Sequence, residues 1–432
     1  MKKRFIFILC GLFLCAGTIA ATDYNVLQQG VVGDGKTLNT QSLQSAIDAL
    51  HAKGGGQLYF PAGRYLTGSL QLKSNVTLYL EKEAVLLGST SPYDYPGFST
   101  EKELKVNNDH FDKALIYAEG AENIGITGEG CIDGQGRELA LTIDSLHHTG
   151  ELVDKHYNTY RKRPNTRPKL LFMRNCRKVE LRKTNFRSGA AWGLSFSLCV
   201  DLTIDSLHVE NRAYWNNDGI DISDCKDVRI SSCFINSADD GICLKSHNRG
   251  AWNDRVSISN CHIISSASAI KFGTESLGGF KNVTIDNIRI KDTFRSAIAI
   301  ESVDGAEIEN VKLENIEIVC PGRATRGMAY MSVSRLKDVP ENEKGYPEFT
   351  MFEELPSWGF YVRHVKGIQM HNVKLRLQED DFRPAFVFDR VSDVRLSDIS
   401  LPENKKAGQV VLRQTSLQSA DNAVKEYVRE VE

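Results

Sequence analysis

Val228-Arg229-Ile230-Ser231-Ser232-Cys233-Phe234-Ile235 is followed, 28 residues on, by Val256-Ser257-Ile258-Ser259-Asn260-Cys261-His262-Ile263. Both stretches read apolar, any, apolar, two polar, apolar, any, apolar. Period-two alternation marks a strand with one buried face, and the polar pair reads as a tight corner between two short strands. The same octad occurs at Leu202–Val209, Val283–Ile290, Val311–Ile318 and Val394–Leu401, with fragments at Val76–Leu78 and Ile368–Met370. From Leu202 to Val311 the copies are spaced 26, 28, 27 and 28 residues apart. The next gap, Val311 to Ile368, is 57 residues and reads as two steps with one coil disguised by an insertion.

A fixed period in the twenties means a stacked repeat in which each coil buries its neighbours' faces. Leucine-rich repeats share the period but require leucines at fixed offsets and an asparagine slot, neither of which this chain has. One stretch has good helical periodicity, Ser42–Ala52, with Leu43, Ala46, Ile47 and Leu50 on one face. It precedes the first clear strands, where a solenoid needs a cover for its open apolar end. The expected fold is therefore all-β: a single-domain right-handed parallel β-helix over residues 22–432 with a short N-terminal capping helix. Segments near 93–110, 139–168 and 331–358 break the period, and such insertions tend to gather around a binding face.

The 432 residues carry a net charge of −2, so the overall balance offers nothing to nucleic acid or an anionic membrane. Lys2, Lys3 and Arg4 precede an apolar run, Phe5–Leu14, and then small residues through Ala20 and Ala21. That pattern predicts a secretory signal over residues 1–21 and export to the periplasm or beyond. Cys10 and Cys15 would leave with it. The remaining cysteines lack metal-site spacing, and Cys233 and Cys261 fill aliphatic slots of the repeat, so buried free thiols are expected.

Asn217-Asp218-Gly219-Ile220-Asp221-Ile222 overlays Asp239-Asp240-Gly241-Ile242-Cys243-Leu244 at an offset of 22 residues. If that offset is one coil, Asp218 and Asp240 sit one strand spacing apart, roughly 5 Å, with Asp239 beside them. Carboxylates that close repel, so at least one should hold its proton above the usual range. A protonated acid beside an ionised base is what acid–base hydrolysis needs.

These residues resemble glycoside hydrolase family 28, the polygalacturonase-type pectin hydrolases, from about Asp23 to Leu401. The resemblance is carried by Gly33-Asp34-Gly35, the run Asn123–Gly136, Trp192, Asn216-Asn217-Asp218-Gly219 against the family's N-T-D-G, and Asp239-Asp240. It implies an inverting hydrolase in which Asp239 is the general acid and Asp218 with Asp240 activates water, with no metal or other cofactor. Two family motifs are absent. Where G-H-G falls, this chain reads Ser266-Ala267-Ser268; where R-I-K falls, it reads Ala299-Ile300-Glu301. In the family those basic residues contact a galacturonate carboxylate on the leaving-group side.

Aligning the coils puts Asp221, Cys243, Lys271 and Ala299 in one outward row, and Ser223, Lys245, Gly273 and Glu301 in another. Lys245 and Lys271 are therefore the expected contacts for a uronate carboxylate before the cut, leaving a neutral sugar after it. Galacturonate followed by rhamnose, the rhamnogalacturonan backbone, has that alternation. Cleavage of that bond from a chain end is the favoured expectation, with homogalacturonan cleavage as the alternative. Asn216 belongs to the substrate site, and Trp215, beside the same corner, is the expected sugar-stacking ring. Trp192, Trp252 and Trp358 are expected to pack under loops, and His247 is a poor replacement for the missing histidine. The expected partner is a pectic oligosaccharide or polysaccharide, bound by a monomer. Two rivals differ in kind: a calcium-dependent lyase, for which no ligand cluster is apparent, and a non-catalytic glycan-binding β-helix, which has no use for stacked aspartates.

Overall fold

The computed structural model describes residues 22–98, 113–151, 167–323, 333–344, 347, 349–402 and 408–432. The expected leader lies outside this range, as do residues 99–110 and 152–166 of the first two insertions and 331, 332, 345, 346 and 348 of the third.

Each octad of the repeat forms two strand segments joined at its polar pair. The second residue of that pair is left-handed every time: Ser206, Ser232, Asn260, Asn287, Asn315, Asn372 and Asp398 lie at φ 52–56°. Asn and Asp tolerate this region because their short polar side chains bond locally, whereas a β-branched residue there would be strained. The asparagines also join coil to coil. Asn287 Nδ2 donates to Asn260 Oδ1 and Asn372 Nδ2 to Asn315 Oδ1, both at 2.7 Å.

Successive octads pair in parallel and in register: Leu202 on Val228, Val228 on Val256, Val256 on Val283 and Val283 on Val311. All are buried, and each such aliphatic contributes about 1.5–3 kcal/mol by leaving water. A third segment of every coil builds a separate parallel sheet of twelve strands among the described residues. Its central strands are Leu194–Ser197, Ile220–Ser223, Ile242–Ser246, Ile270–Ser276, Ile298–Ile300 and Phe360–Arg363. The result is the expected parallel β-helix. Its N-terminal end is closed by α1, Thr40–Ala52, through buried Leu43, Ala46, Ile47 and Leu50.

The 57-residue gap departs from expectation. Val311 pairs directly with Ile368, so the two octads are adjacent coils and no hidden coil lies between them. The whole surplus is one insertion, leaving after Cys320 and returning at Phe360–Arg363. Its Leu336, Phe352 and Leu355 cover the outward side chains of Ala299, Tyr361, Val387 and Val411. Glu341 of the insertion accepts hydrogen bonds from Arg363 and Arg390 and pairs with His364. Spacing cannot separate a coil from an insertion of coil length; strand pairing does. A second period-breaking segment contains a helix, α2, Gly136–His148, seated through Leu139, Ala140 and Ile143.

The eight cysteines of the described residues are all free, and seven are buried. Cys176, Cys199 and Cys225 stack up the interior, with the Cys199 N–H 3.3 Å from Cys225 Sγ.

Candidate active site

The two Asp-Gly corners begin neighbouring strands of the twelve-stranded sheet. Ile220 pairs with Ile242, and Gly219 N–H donates to the Asp240 carbonyl at 2.9 Å, so Asp218 and Asp240 stand one coil apart. Glycine follows each aspartate because the next coil passes too close for any side chain. A Cβ at Gly219 would lie 2.4 Å from the Gly241 carbonyl oxygen, and one at Gly241 would lie 2.5 Å from that of Ala269.

Buried amides clamp the first corner. Asn217 Nδ2 donates to the carbonyls of Gly189 and Ala191, and Asn211 Nδ2 donates to the Asp218 carbonyl at 2.8 Å. Arg167, also buried, donates to the carbonyls of Ala190 and Trp215 and lies over the rings of Tyr214 and Trp215. Burial lowers its pKa to about 10. Sequence reading missed Asn211 and Arg167, whose roles depend on contacts made across coils.

The three expected catalytic carboxyls come together, each in a different electrostatic setting. Asp239 is 23% exposed, and burial with Asp240 alongside raises its pKa. Asp240 is 3% exposed. Burial opposes its charge, but Lys271, Arg295 and Lys245 outweigh burial and its pKa falls. Its Oδ1 accepts the Ser268 N–H at 3.2 Å, and its Oδ2 lies 3.2 Å from Lys271 Nζ. Asp218 is raised well above the ordinary range by burial and by Asp221, with Lys245 pulling the other way. Asp221, in sequence only a place in the outward row, is a fourth carboxyl group at the site, 1% exposed.

Lys245 and Lys271 contradict the expected solvent-facing lane. They are 6% and 4% exposed. Lys245 Nζ donates to Asp218 Oδ2 at 3.2 Å and to Asp221 Oδ1, and also lies 4.3 Å from the Trp192 ring centroid. Both ammoniums are held by protein carboxylates at the centre of the site. The physical reason is charge balance: several buried carboxylates need cations within ion-pair reach. The row assignment itself holds for Asp221, Cys243, Lys271 and Ala299, which pair in sequence. The second row holds for Ser223 and Lys245, then is broken by a register shift between Leu244 and Ser246.

Ala299 and Glu301 are also buried, at 0% exposure, so neither faces a substrate directly. Burial raises the Glu301 carboxyl to about 7 despite Lys271. Neither of its oxygens has a hydrogen-bond partner among the described residues. A cation the sequence reading overlooked stands closer to the acid. Arg295 is 32% exposed, with Nη1 3.9 Å from Asp239 Oδ1, and its N–H donates to the Ala267 carbonyl at 3.3 Å. It lies four residues before the missing R-I-K, outside any motif window.

Asn216, expected in the substrate site, sits with Nδ2 3.4 Å from Asp239 Oδ2. Trp215 is half-buried against Arg167. Trp358 is fully buried, whereas Trp192 is half-buried between Lys169 and Lys245. His247 is 18% exposed, tied to Glu275 through Nδ1 and 3.2 Å from Ser223 Oγ through Nε2. It belongs to the far end of the strands and does not replace the missing histidine. No cluster of three or more His, Cys, Asp or Glu with metal-binding geometry occurs among the described residues.

The chain is thus a parallel β-helix that gathers three carboxyls at adjacent strand starts, the architecture of a candidate glycosidase. Residues 56–320 match the model of Glycosyl hydrolases family 28, and the chain belongs to that family. Residues 24–81 also match the model described as Rhamnogalacturonase A/epimerase, pectate lyase-like. The chain is 30% identical over 299 residues to a probable polygalacturonase of Vitis vinifera, covering 65% of this chain and 55% of that one. It is 27% identical over 248 residues to the exo-poly-alpha-D-galacturonosidase of Dickeya chrysanthemi, covering 50% and 41%. It thus spans about half the length of these curated relatives. The family 28 exopolygalacturonase structure from Yersinia enterocolitica shares the fold, with TM-score 0.62 at 21% identity, over 95% of this chain and 77% of that one.

Proposed function

We propose that this chain hydrolyses α-galacturonosyl bonds of pectin with inversion at the anomeric carbon. The observation that carries the reading is the unequal setting of two neighbouring carboxyls: Asp239 stands 23% exposed with Arg295 Nη1 at 3.9 Å, whereas Asp240 is buried with Lys271 Nζ 3.2 Å from Oδ2 and the Ser268 N–H on Oδ1, a geometry that raises the first carboxyl and lowers the second. The first keeps a proton for the glycosidic oxygen, and the second stays ionised to take one from water. Inversion needs these roles on opposite sides of the scissile bond, with roughly 6.5–9.5 Å between carboxyls to admit the water. Asp218, across the coil from Asp240, offers that water a second hydrogen bond. General acid and general base help of about 10²–10⁴ each corresponds to roughly 3–5 kcal/mol per group.

In the proposed setting the protein is exported, on the strength of its leader, and acts as a monomer from a chain end. End action is supported by the insertion that covers the outer face from Ala299 onward, two coils past Asp240. Two bonds remain within the reading. The galacturonate–rhamnose bond is favoured by the absence of histidine from Ser266–Ser268. Burial of Ala299 and Glu301 removes the argument that their side chains select the leaving sugar. The galacturonate–galacturonate bond is favoured by Arg295, a partly exposed cation beside the acid.

The test is digestion of size-defined galacturonate–rhamnose oligosaccharides and oligogalacturonides, with proton NMR following the first-formed anomer. Release of the inverted anomer supports the mechanism, and the faster substrate chooses the bond. An unsaturated product, or activity lost in EDTA and restored by calcium, would replace hydrolysis with elimination.

A further inference from the structure

We infer that Lys271 is a positioning residue, holding the base Asp240 ionised and in place through a buried ion pair, and is no ligand for the substrate. The kinetic arm of the argument rests on the hydrolytic reading above; the ion pair itself does not. Lys271 is 4% exposed and its ammonium lies 3.2 Å from Asp240 Oδ2, while Ser268 N–H holds Oδ1. Both oxygens of the base are therefore fixed from the coil that follows it. The charged groups facing Asp240 are Lys271, Arg295 and Lys245 on one side of the balance and Asp218, Asp239 and Glu301 on the other. Lys271 is in ion-pair contact with it, Nζ to Oδ2 at 3.2 Å. Turning that ammonium toward a sugar would take from a buried carboxylate the cation in contact with it, leaving only the more distant charges of Arg295 and Lys245, which is unfavourable.

The neighbouring coil repeats the contact, although there burial and Asp221 outweigh the lysine and Asp218 stays raised. Lys245, reaching back from the end of its strand, spans Asp218 and Asp221. Each stacked carboxylate thus has an ammonium drawn from the coil after it. Glu301 lies one coil beyond Lys271, and its proximity to that lysine is felt in its own titration. The cation that the family carries at the position of Glu301 is absent here, and buried Lys271 pairs with the base.

The test replaces Lys271 with Met, which keeps the aliphatic length and removes the charge. Loss of an adjacent opposite charge moves a carboxyl by about one to three pH units, so the acid limb of kcat/KM should rise by at least one unit. KM should change less than about threefold while kcat falls, the pattern of a group acting through the machinery and not through ground-state binding. Ethylammonium, but not ethanol, should restore part of kcat to Lys271→Ala. A tenfold rise in KM with the acid limb unmoved would overturn the inference and return Lys271 to the substrate. A second measurement needs no activity: Lys271→Met should melt below Lys271→Met/Asp240→Asn, because the double variant no longer buries a lone carboxylate. A double variant that melts no higher than the single overturns the ion-pair role, whether or not the chain proves to be a pectin hydrolase.

Discussion

Asn216 Nδ2 lies 3.4 Å from Asp239 Oδ2, so the corner of one coil touches the acid of the next. Asn216 makes the contact from the left-handed region, at φ 57°. It fixes the carboxyl that keeps its proton. Asp239 remains 23% exposed, enough to meet a glycosidic oxygen.

Asp239→Asn should fold normally and lose about 10²-fold or more in kcat, because an amide has no proton to give the leaving oxygen. Circular dichroism with initial rates on the better of the two substrates checks it. Near-normal turnover by the folded variant would end the acid assignment.

Asp218→Asn and Asp240→Asn should each be severely impaired. Because the two groups serve one water, the double variant should lose far less than the product of the single losses. A double-mutant cycle on kcat measures this. Strictly multiplicative losses would mean the two carboxyls act separately.

Gly241→Ala places a methyl group 2.5 Å from the Ala269 carbonyl oxygen, a backbone atom that cannot step aside alone. Overpacking of this kind costs about 1–3 kcal/mol, seen as a lower urea midpoint. Turnover should fall as well, since the displaced strand start carries Asp240. Stability equal to wild type would show that the coils can separate locally without cost.

Glu301 makes folding pH-dependent. Its carboxyl is raised from 4.5 to about 7 by burial. A raised folded-state value means the contribution is fully present below pH 4.5 and is lost as pH rises through about 7. The loss amounts to about 3 kcal/mol, taken as 1.36 kcal/mol per unit. Glu301→Gln cannot ionise, so its melting temperature relative to wild type should climb between pH 4.5 and 8. A constant difference across that range would refute the buried, raised carboxyl.

Much of this was open to reading in the chain itself. The octads carried the strands and corners, since a period of two with a polar pair admits few other backbones. Ser42–Ala52 announced the cap, observed as Thr40–Ala52. The Asp218 and Asp240 overlay gave the pairing of adjacent coils, because a solenoid converts a repeat offset into a neighbour. The 57-residue gap misled for the same reason: an insertion of coil length has the arithmetic of a coil and none of its pairing.

What the residues alone determined, then, is the stacking: which positions face inward, and which carboxyls share a row. These follow from local alternation and a nearly constant period. Tertiary structure decided the charge state of that row. Lys245 and Lys271 occupy outward positions of their strands, where a sequence places them in water. The surrounding coils and loops bury them to 6% and 4% exposure among the aspartates. Arg295 and Glu301 exchange apparent roles likewise, the arginine outside any motif standing at the acid and the glutamate expected in the cleft fully buried. Desolvation and ion pairing depend on what lies within a few ångströms in space, and only the folded coils bring those groups together.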